Sequence, residues 1–410
     1  MPKVLLLSRQ PLAKRPLQDW LDDTSSVVLF TTPKAVAGSE AELAEHFPRH
    51  RLVEDYHGWS ALRAAESAAR AHGVDLVAST SEHDVLRAAR LRERLGLPGQ
   101  GIASALAHRD KVVMKRFAVE AGVPVPAFAA IDDPLDLLDF VDAHGFPVVV
   151  KPRDGAGASG VSVLSSMGDL DEFLAQHGDV PHLPGQWMAE SFVRGDFFHV
   201  DGVMVDGRIV HGWPSRYNGG VAERVRDSTC LSSVLLAPED PRNTLLMGLT
   251  ADVIAALPRC EEPLVFHLEA WIRADGEPVF CEIASRSGGA LVAETYERAF
   301  GVHLAKEGLR VQCGDDLTLT EQPAAPRSAY GWILVPPGHG KLVGPAEPCP
   351  VPGVEIVTQL AAGTERDGLA HATDAAVGAT VFGDTPDQVD KRMTQLVDWW
   401  RLNTSWVGES

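Results

Sequence analysis

Apolar positions along the 410-residue chain change their period several times, and each change marks an element. Residues 3–8 (KVLLLS), 27–32 (VVLFTT) and 75–80 (DLVAST) are short continuous apolar runs. Such runs predict strands buried on both faces of a parallel sheet. Between them lie helix-like stretches, notably 60–72 (SALRAAESAARAH), which ends at Gly73. This alternation predicts βαβ units. The first strand is followed by SRQPLAKRP with no GxGxxG, so a dinucleotide-binding function of the Rossmann kind is unsupported. Further helices are predicted at 82–95, closed by Gly96, and at 108–126, stopped at Gly122 before Pro124 and Pro126. The pattern adds helices over DPLDLLDFVDAHG, near 169–177, at 241–257, from Leu291 to Cys313, and at 386–402 with Trp399 and Trp400 in its core face.

Strict alternation with turn residues predicts hairpins elsewhere. Asp206-Gly207 and Asp275-Gly276 each sit between alternating runs, a strong short hairpin signal. With Asp275 and Gly276 as the two loop residues, Ala274 faces Glu277. Counting outward then sets Glu269 opposite Glu282 on one face. Opposed like charges, their Cβ atoms about 4.5–5.5 Å apart, are destabilising. A divalent cation bridging both carboxylates removes that penalty, and hard oxygen ligands suit magnesium. The same count puts Phe266, Leu268, Ala270 and Ile272 against Val279, Cys281 and Ile283 on an apolar face, with Trp271 on the acidic one. The alternative is an amphipathic hairpin whose glutamates face water. Arg286, Ser287, Gly288 and Gly289 follow directly and offer a cation and backbone donors.

A second constellation lies upstream. The apolar strand Val148 to Val150 delivers Lys151, and a loop with Gly155, Gly157 and Gly160 leads into a strand from Val161 to Leu164. Glycines let backbone N–H groups close around phosphate oxygens, and Lys151 supplies positive charge. GxxxxGK[ST] is absent. Lys111, Lys115 and Arg116 on the preceding helix read as a solvated face when taken alone. Residues 214–233 are polar and glycine-bearing and fit a mobile substrate loop, with Arg216, Arg224 and Arg226 read as solvated.

Composition narrows the partners. Net charge is −19, which argues against nucleic acid or an anionic membrane, although a local basic pocket can still take an anionic substrate. Five scattered cysteines without CxxC spacing suggest free thiols in a reducing compartment. No apolar run approaches about 18 residues, so a cytoplasmic soluble protein is expected. Length calls for two to four domains.

The order of these pieces resembles the ATP-grasp superfamily. It runs from DK…MK with AGVPVP, through VVVKP and the glycine-rich loop, to the ESFVxG linker, then HxE and CEIASRSGG. The tail is similar to that of the amino-acid ligase branch. The resemblance implies a multidomain α/β and α+β architecture. Residues 1–105 would form an open parallel α/β domain and 106–185 a small lobe. A large lobe with an antiparallel sheet would span 186–320, and a lid-like α+β subdomain 321–410. It implies ATP with Lys111 and Lys151 on its phosphates and the loop Asp154, Gly155, Gly157, Ser159 and Gly160 folded over them. Glu190 and the backbone through Phe192 and Val193 would meet adenine, and His199 the ribose. Glu269 and Glu282 would hold Mg2+, two ions with Mn2+ as a substitute. Arg286, with Gly288 and Gly289, would stabilise transferring charge. The implied partners are a small-molecule carboxylate and an amine, amino acids foremost, and a homodimer fits the superfamily. Many members carry Asn as a further metal ligand where this chain has Ala284. Either Glu282 binds bidentately or a second ion is held less firmly. The activity implied is an ATP-dependent carboxylate–amine ligase working through an acyl phosphate. A biotin-carboxylase-like enzyme and a nucleotide-binding protein without turnover are the alternatives. No Ser-His-Asp or Cys-His spacing suggests a protein nucleophile.

Overall fold

The computed structural model describes residues 1–177, 185–219, 228–321, 325–369 and 371–408. The three apolar runs at the N-terminus form the strands Val4–Leu7, Val27–Thr31 and Leu76–Ser79. A short strand that the apolar pattern does not announce, His50–Leu52, joins them in a parallel four-stranded sheet. One face is covered by the helices Trp59–His72 and Val85–Leu95. The other is covered in part by a helix from far along the chain, Leu304–Gln312, through Leu309 and Cys313. The domain is thus completed by residues from outside the 1–105 segment. The single helix expected from Leu291 to Cys313 is two helices, Val292–Phe300 and Leu304–Gln312. Gly301, at φ +79°, ends the first with a left-handed turn that side-chain-bearing residues adopt only with strain.

A second, antiparallel sheet has the strand order Phe128–Ile131, Trp187–Ser191, Val148–Pro152, Ser162–Leu164. The helix Pro134–His144, held at its start by a reciprocal Asp133–Asp136 capping box, packs its Leu137, Phe140 and Val141 on this sheet. Residues 192–195 connect it to the largest sheet, which has eight strands. There Asp206-Gly207 forms the expected two-residue turn, both residues having positive φ (54° and 71°), between Asp196–Val205 and Arg208–Asn218. The stretch 214–218 continues that strand and 231–233 opens the strand Leu231–Leu235, so neither is loop. Residues 220–227, including Arg224 and Arg226, lie outside the described residues. Arg216, partly exposed, is ion-paired with Asp390 at 2.9 Å.

The segment beyond 321 reads from the sequence as a lid-like α+β subdomain, and part of it extends the large sheet. Ala329–Val335 pairs with Leu231–Leu235, and Val377–Gly383 and Val354–Gln359 extend the same sheet. The helix Pro386–Asn403 covers this end, with Trp400 buried and Trp399 packed against the cluster. Among the described residues no helix is long and apolar enough to cross a membrane.

Candidate active site

The site lies where the small sheet, the large sheet and the helix Lys111–Glu120 meet. Asp110 caps that helix, accepting from the N–H groups of Val112 and Val113. The same carboxylate holds Arg153 at 2.8 Å, which ties the helix start to the end of the Lys151 strand. Lys111 therefore points across the gap. Its Nζ donates to the Gly155 carbonyl at 2.7 Å and pairs with Glu282 at 3.0 Å. Gly155 is thus drawn against the site, while Asp154, Gly157, Ser159 and Gly160 form the exposed part of its loop.

Lys151, delivered by its strand as expected, is ion-paired with Glu190. Burial alone would lower its pKa, but the facing Glu190 carboxylate holds it above the ordinary lysine value. Glu190 behaves conversely: burial favours the neutral acid, and Lys115 and Lys151 together keep it a carboxylate. Lys115 was not expected here. It has no exposed surface, stands 3.3 Å from Glu190 and donates to the Cys281 carbonyl at 2.8 Å, so it belongs to the site's interior and not to a solvated face. Arg116 alone of the three basic residues faces solvent. Phe192 and Val193 lie on the connection between the two sheets.

Glu269 and Glu282 are directly opposed, as counted from the turn, but the intervening register differs. Arg273 N–H donates to the Glu277 carbonyl and Ile272 faces Pro278, so the turn holds three residues instead of two. A bulge between Glu269 and Ala270 then restores the count. Cys281 is the extra residue. Phe280 takes the core position opposite Ala270 that the sequence reading gave to Cys281. The two departures cancel at the carboxylates.

Their surroundings fit a hard cation. Tyr217 donates to Oε1 of Glu269 at 3.0 Å, and His267 Nε2 stands 3.5 Å from the same oxygen. Hydrogen bonds of this kind orient a ligating carboxylate. Burial would raise the Glu282 pKa, but Lys111, Lys151 and Arg286 hold it well below the ordinary value, so the group is a carboxylate. Two open clefts lie elsewhere, one of about 360 Å³ beside Arg216 and Arg242 and one of about 500 Å³ beside Arg51 and Arg63.

Arg286 is turned toward the N-terminal domain. Its guanidinium holds Glu82 through Nε at 2.7 Å and through Nη2, and Arg109 meets the same carboxylate at 3.2 Å. Glu82 lies 204 residues from Arg286, and no motif or period in the sequence singles it out.

Behind Glu269 lies a buried network. Asp201 accepts from His199 and, at 2.8 Å, from His267, and the other ring nitrogen of His199 meets Ser233 Oγ at 2.7 Å. Both His199 nitrogens are thereby engaged. A Ser-His-Asp array is therefore present in space, although sequence spacing gave no sign of it. Its three members are each only 1% exposed, and Ser233 sits within a paired strand. A nucleophile needs access to its substrate, so the array orders the sheet interior. Its other edge meets the Gly288 backbone. A Cβ on Gly288 would come within 2.8 Å of His267 Nδ1 and 2.9 Å of Asp201 Oδ1.

The parallel domain and the two larger antiparallel sheets have the arrangement of the ATP-grasp fold. No family model matches the chain. An L-arginine-specific L-amino acid ligase of Bacillus subtilis is 26% identical over 271 residues, 65% of this chain and 64% of that protein. The chain thus matches slightly under two thirds of that relative's length. A solved L-amino acid ligase from Bacillus licheniformis is similar with a TM-score of 0.73 at 18% identity, over 100% of this chain and 99% of that one. The biotin carboxylase domain of a Hydrogenobacter thermophilus 2-oxoglutarate carboxylase, in complex with MgADP, ADP and bicarbonate, gives 0.71 at 13% identity, over 97% and 90%. At such identities the structural likeness concerns fold alone, and the fold serves both amide formation and carboxylation.

Proposed function

We propose that this protein is an ATP- and Mg2+-dependent carboxylate–amine ligase. It joins an amino acid or related carboxylate to an amine through an acyl phosphate, giving ADP, phosphate and an amide. The observation that carries the reading is the opposed pair Glu269 and Glu282, ringed by the cations Lys111, Lys151 and Arg286. The sequence likeness to an L-amino acid ligase favours an amine over biotin as acceptor.

A carboxylate is a poor electrophile because oxide is a poor leaving group, and phosphorylation supplies a good one. Little covalent chemistry then falls to the protein, whose work is positioning and charge neutralisation. Lys111 and Lys151 would hold the nucleotide's phosphates, with the loop from Asp154 to Gly160 closing over them. Glu190 and the backbone of Phe192 and Val193 would lie beside its base, whereas His199, expected at the ribose, is buried with both ring nitrogens engaged by Asp201 and Ser233 and does not take that role. Mg2+ on Glu269 and Glu282 would neutralise the developing phosphate charge. Arg286 is kept protonated and oriented by Glu82. It would stabilise the oxyanion formed when the amine attacks, together with the N–H groups of Gly288 and Gly289. With Ala284 in place of an Asn ligand, the number of ions rests on how Glu282 binds.

Phosphate release from Mg-ATP, screened against amino acids singly and in pairs with product mass spectrometry, tests the reading. Release needing two substrates, with a product mass equal to their sum less water, is expected. Glu282→Gln should abolish it without unfolding the chain. Release dependent on bicarbonate and biotin would move the protein to the carboxylase class.

A further inference from the structure

The bulge beside the metal carboxylates redirects one side chain. An unbroken ladder would send Cys281 to the apolar face. Instead Phe280 fills the core, and Cys281 turns to the acidic face beside Glu282. Bulges near functional sites commonly re-aim a side chain in this way. The Cys281 sulfur and one oxygen each of Glu269 and Glu282 lie within 4.8 Å of one another. Cys281 is 5% exposed, and its thiol has no hydrogen-bond partner among the described residues. Charged groups surround it: the carboxylates of Glu282 and Glu190 and the ammonium groups of Lys115 and Lys151.

We propose that Cys281, Glu269 and Glu282 form a mixed sulfur–oxygen site for a thiol-seeking divalent cation such as Zn2+ or Cd2+, overlapping the magnesium site. The inference rests on the reading of Glu269 and Glu282 as metal ligands. Magnesium takes oxygen donors and leaves the thiol aside. Zinc takes sulfur at about 2.3 Å and carboxylate oxygen at about 2.0–2.2 Å, which sets tetrahedral donors roughly 3.5 Å apart, within the observed spread. Binding breaks the S–H bond, forms a metal–sulfur bond and releases the proton to solvent, with no change of oxidation state. Oxygen of nucleotide phosphate or water completes the shell. Such an ion competes with magnesium for both carboxylates, so trace zinc or cadmium inhibits the protein.

The test is a Cd2+ titration of the full-length chain without nucleotide, read by the ultraviolet thiolate-to-cadmium charge-transfer absorption. Wild type is compared with Cys281→Ser, Cys281→Ala and Glu282→Gln, each checked for fold by circular dichroism. The expected result is a saturable band that both Cys281 variants lose, that Glu282→Gln weakens and that excess Mg-ATP displaces. A band surviving both Cys281 substitutions, or untouched by Glu282→Gln, overturns the inference. Calorimetry of Mg2+-dependent ATP binding on the same samples separates the two readings. If Glu282→Gln loses that binding while wild type shows no cadmium band, the magnesium site stands and the thiol ligand is refuted. If Glu282→Gln keeps it, the metal reading of the carboxylates fails.

Discussion

Lys115 shows how a charge is kept inside this protein. Its ammonium is fully buried, yet it has a carboxylate at 3.3 Å and a carbonyl at 2.8 Å. Removing one partner of a buried ion pair leaves uncompensated charge, which costs more than the pair itself contributes. Because Lys151 still faces Glu190, Lys115→Met should destabilise the fold by about 3 kcal/mol, the lower end for a broken buried pair. Urea unfolding would measure it, and a change near zero would mean the residue is solvated after all. The sequence made Lys151, Glu269, Glu282 and Arg286 legible because each stands in a local pattern of strand, turn and glycine. Lys115 reads as part of a solvated face in the sequence because Lys111, Lys115 and Arg116 share one basic helix. Glu82, Tyr217 and Asp201 join the site only through long-range pairing, which no local pattern encodes.

At the scale of elements, the hairpin carrying the carboxylates was found through its Asp-Gly turn, and the opposed pair came out right by compensation. A turn one residue longer and a bulge of one residue shift the register in opposite senses. Alternation alone reveals neither, because both depend on what packs beneath the strand: Phe280 is the larger apolar group and takes the core. The helix after Gly289 was overextended because Gly301 can be tolerated inside a helix as well as end one. The glycine pair between hairpin and helix gives a sharp contrast. A methyl at Gly288 would strike His267, Asp201 and Val292 at 2.8–2.9 Å, whereas at Gly289 the nearest atom is Thr373 Cγ2 at 3.6 Å. Gly288→Ala should cost about 1–3 kcal/mol, as overpacking does. Gly289→Ala should stay within about 0.5 kcal/mol of wild type, like other uncrowded substitutions. Melting curves of the two variants decide it, and equal losses would contradict the packing described.

At the scale of the whole molecule, separate segments share single structures. The N-terminal sheet borrows the helix Leu304–Gln312, and the C-terminal strands lengthen the large sheet. The long strands and helices were legible, but the strand His50–Leu52, the strand residues within 214–233 and these joins were not, since they depend on pairing partners far apart in sequence. Glu82 is the electrostatic join between the N-terminal domain and the site. Burial favours its neutral form, yet Arg286 and Arg109 depress its pKa below the ordinary value. Its contribution to stability is then complete above the unfolded pKa, about 4.3, and fades as pH falls toward the folded value. Glu82→Gln should be about 3 kcal/mol less stable than wild type at neutral pH. That gap should narrow below about pH 4 in urea titrations at several pH values, and a gap that widens in acid would contradict the assignment. The central claim, that the carboxylate is activated by phosphorylation, is tested most directly with an 18O-labelled carboxylate substrate in a complete reaction. The account predicts inorganic phosphate carrying one label, formed together with ADP. Unlabelled phosphate, or AMP and pyrophosphate, would contradict it.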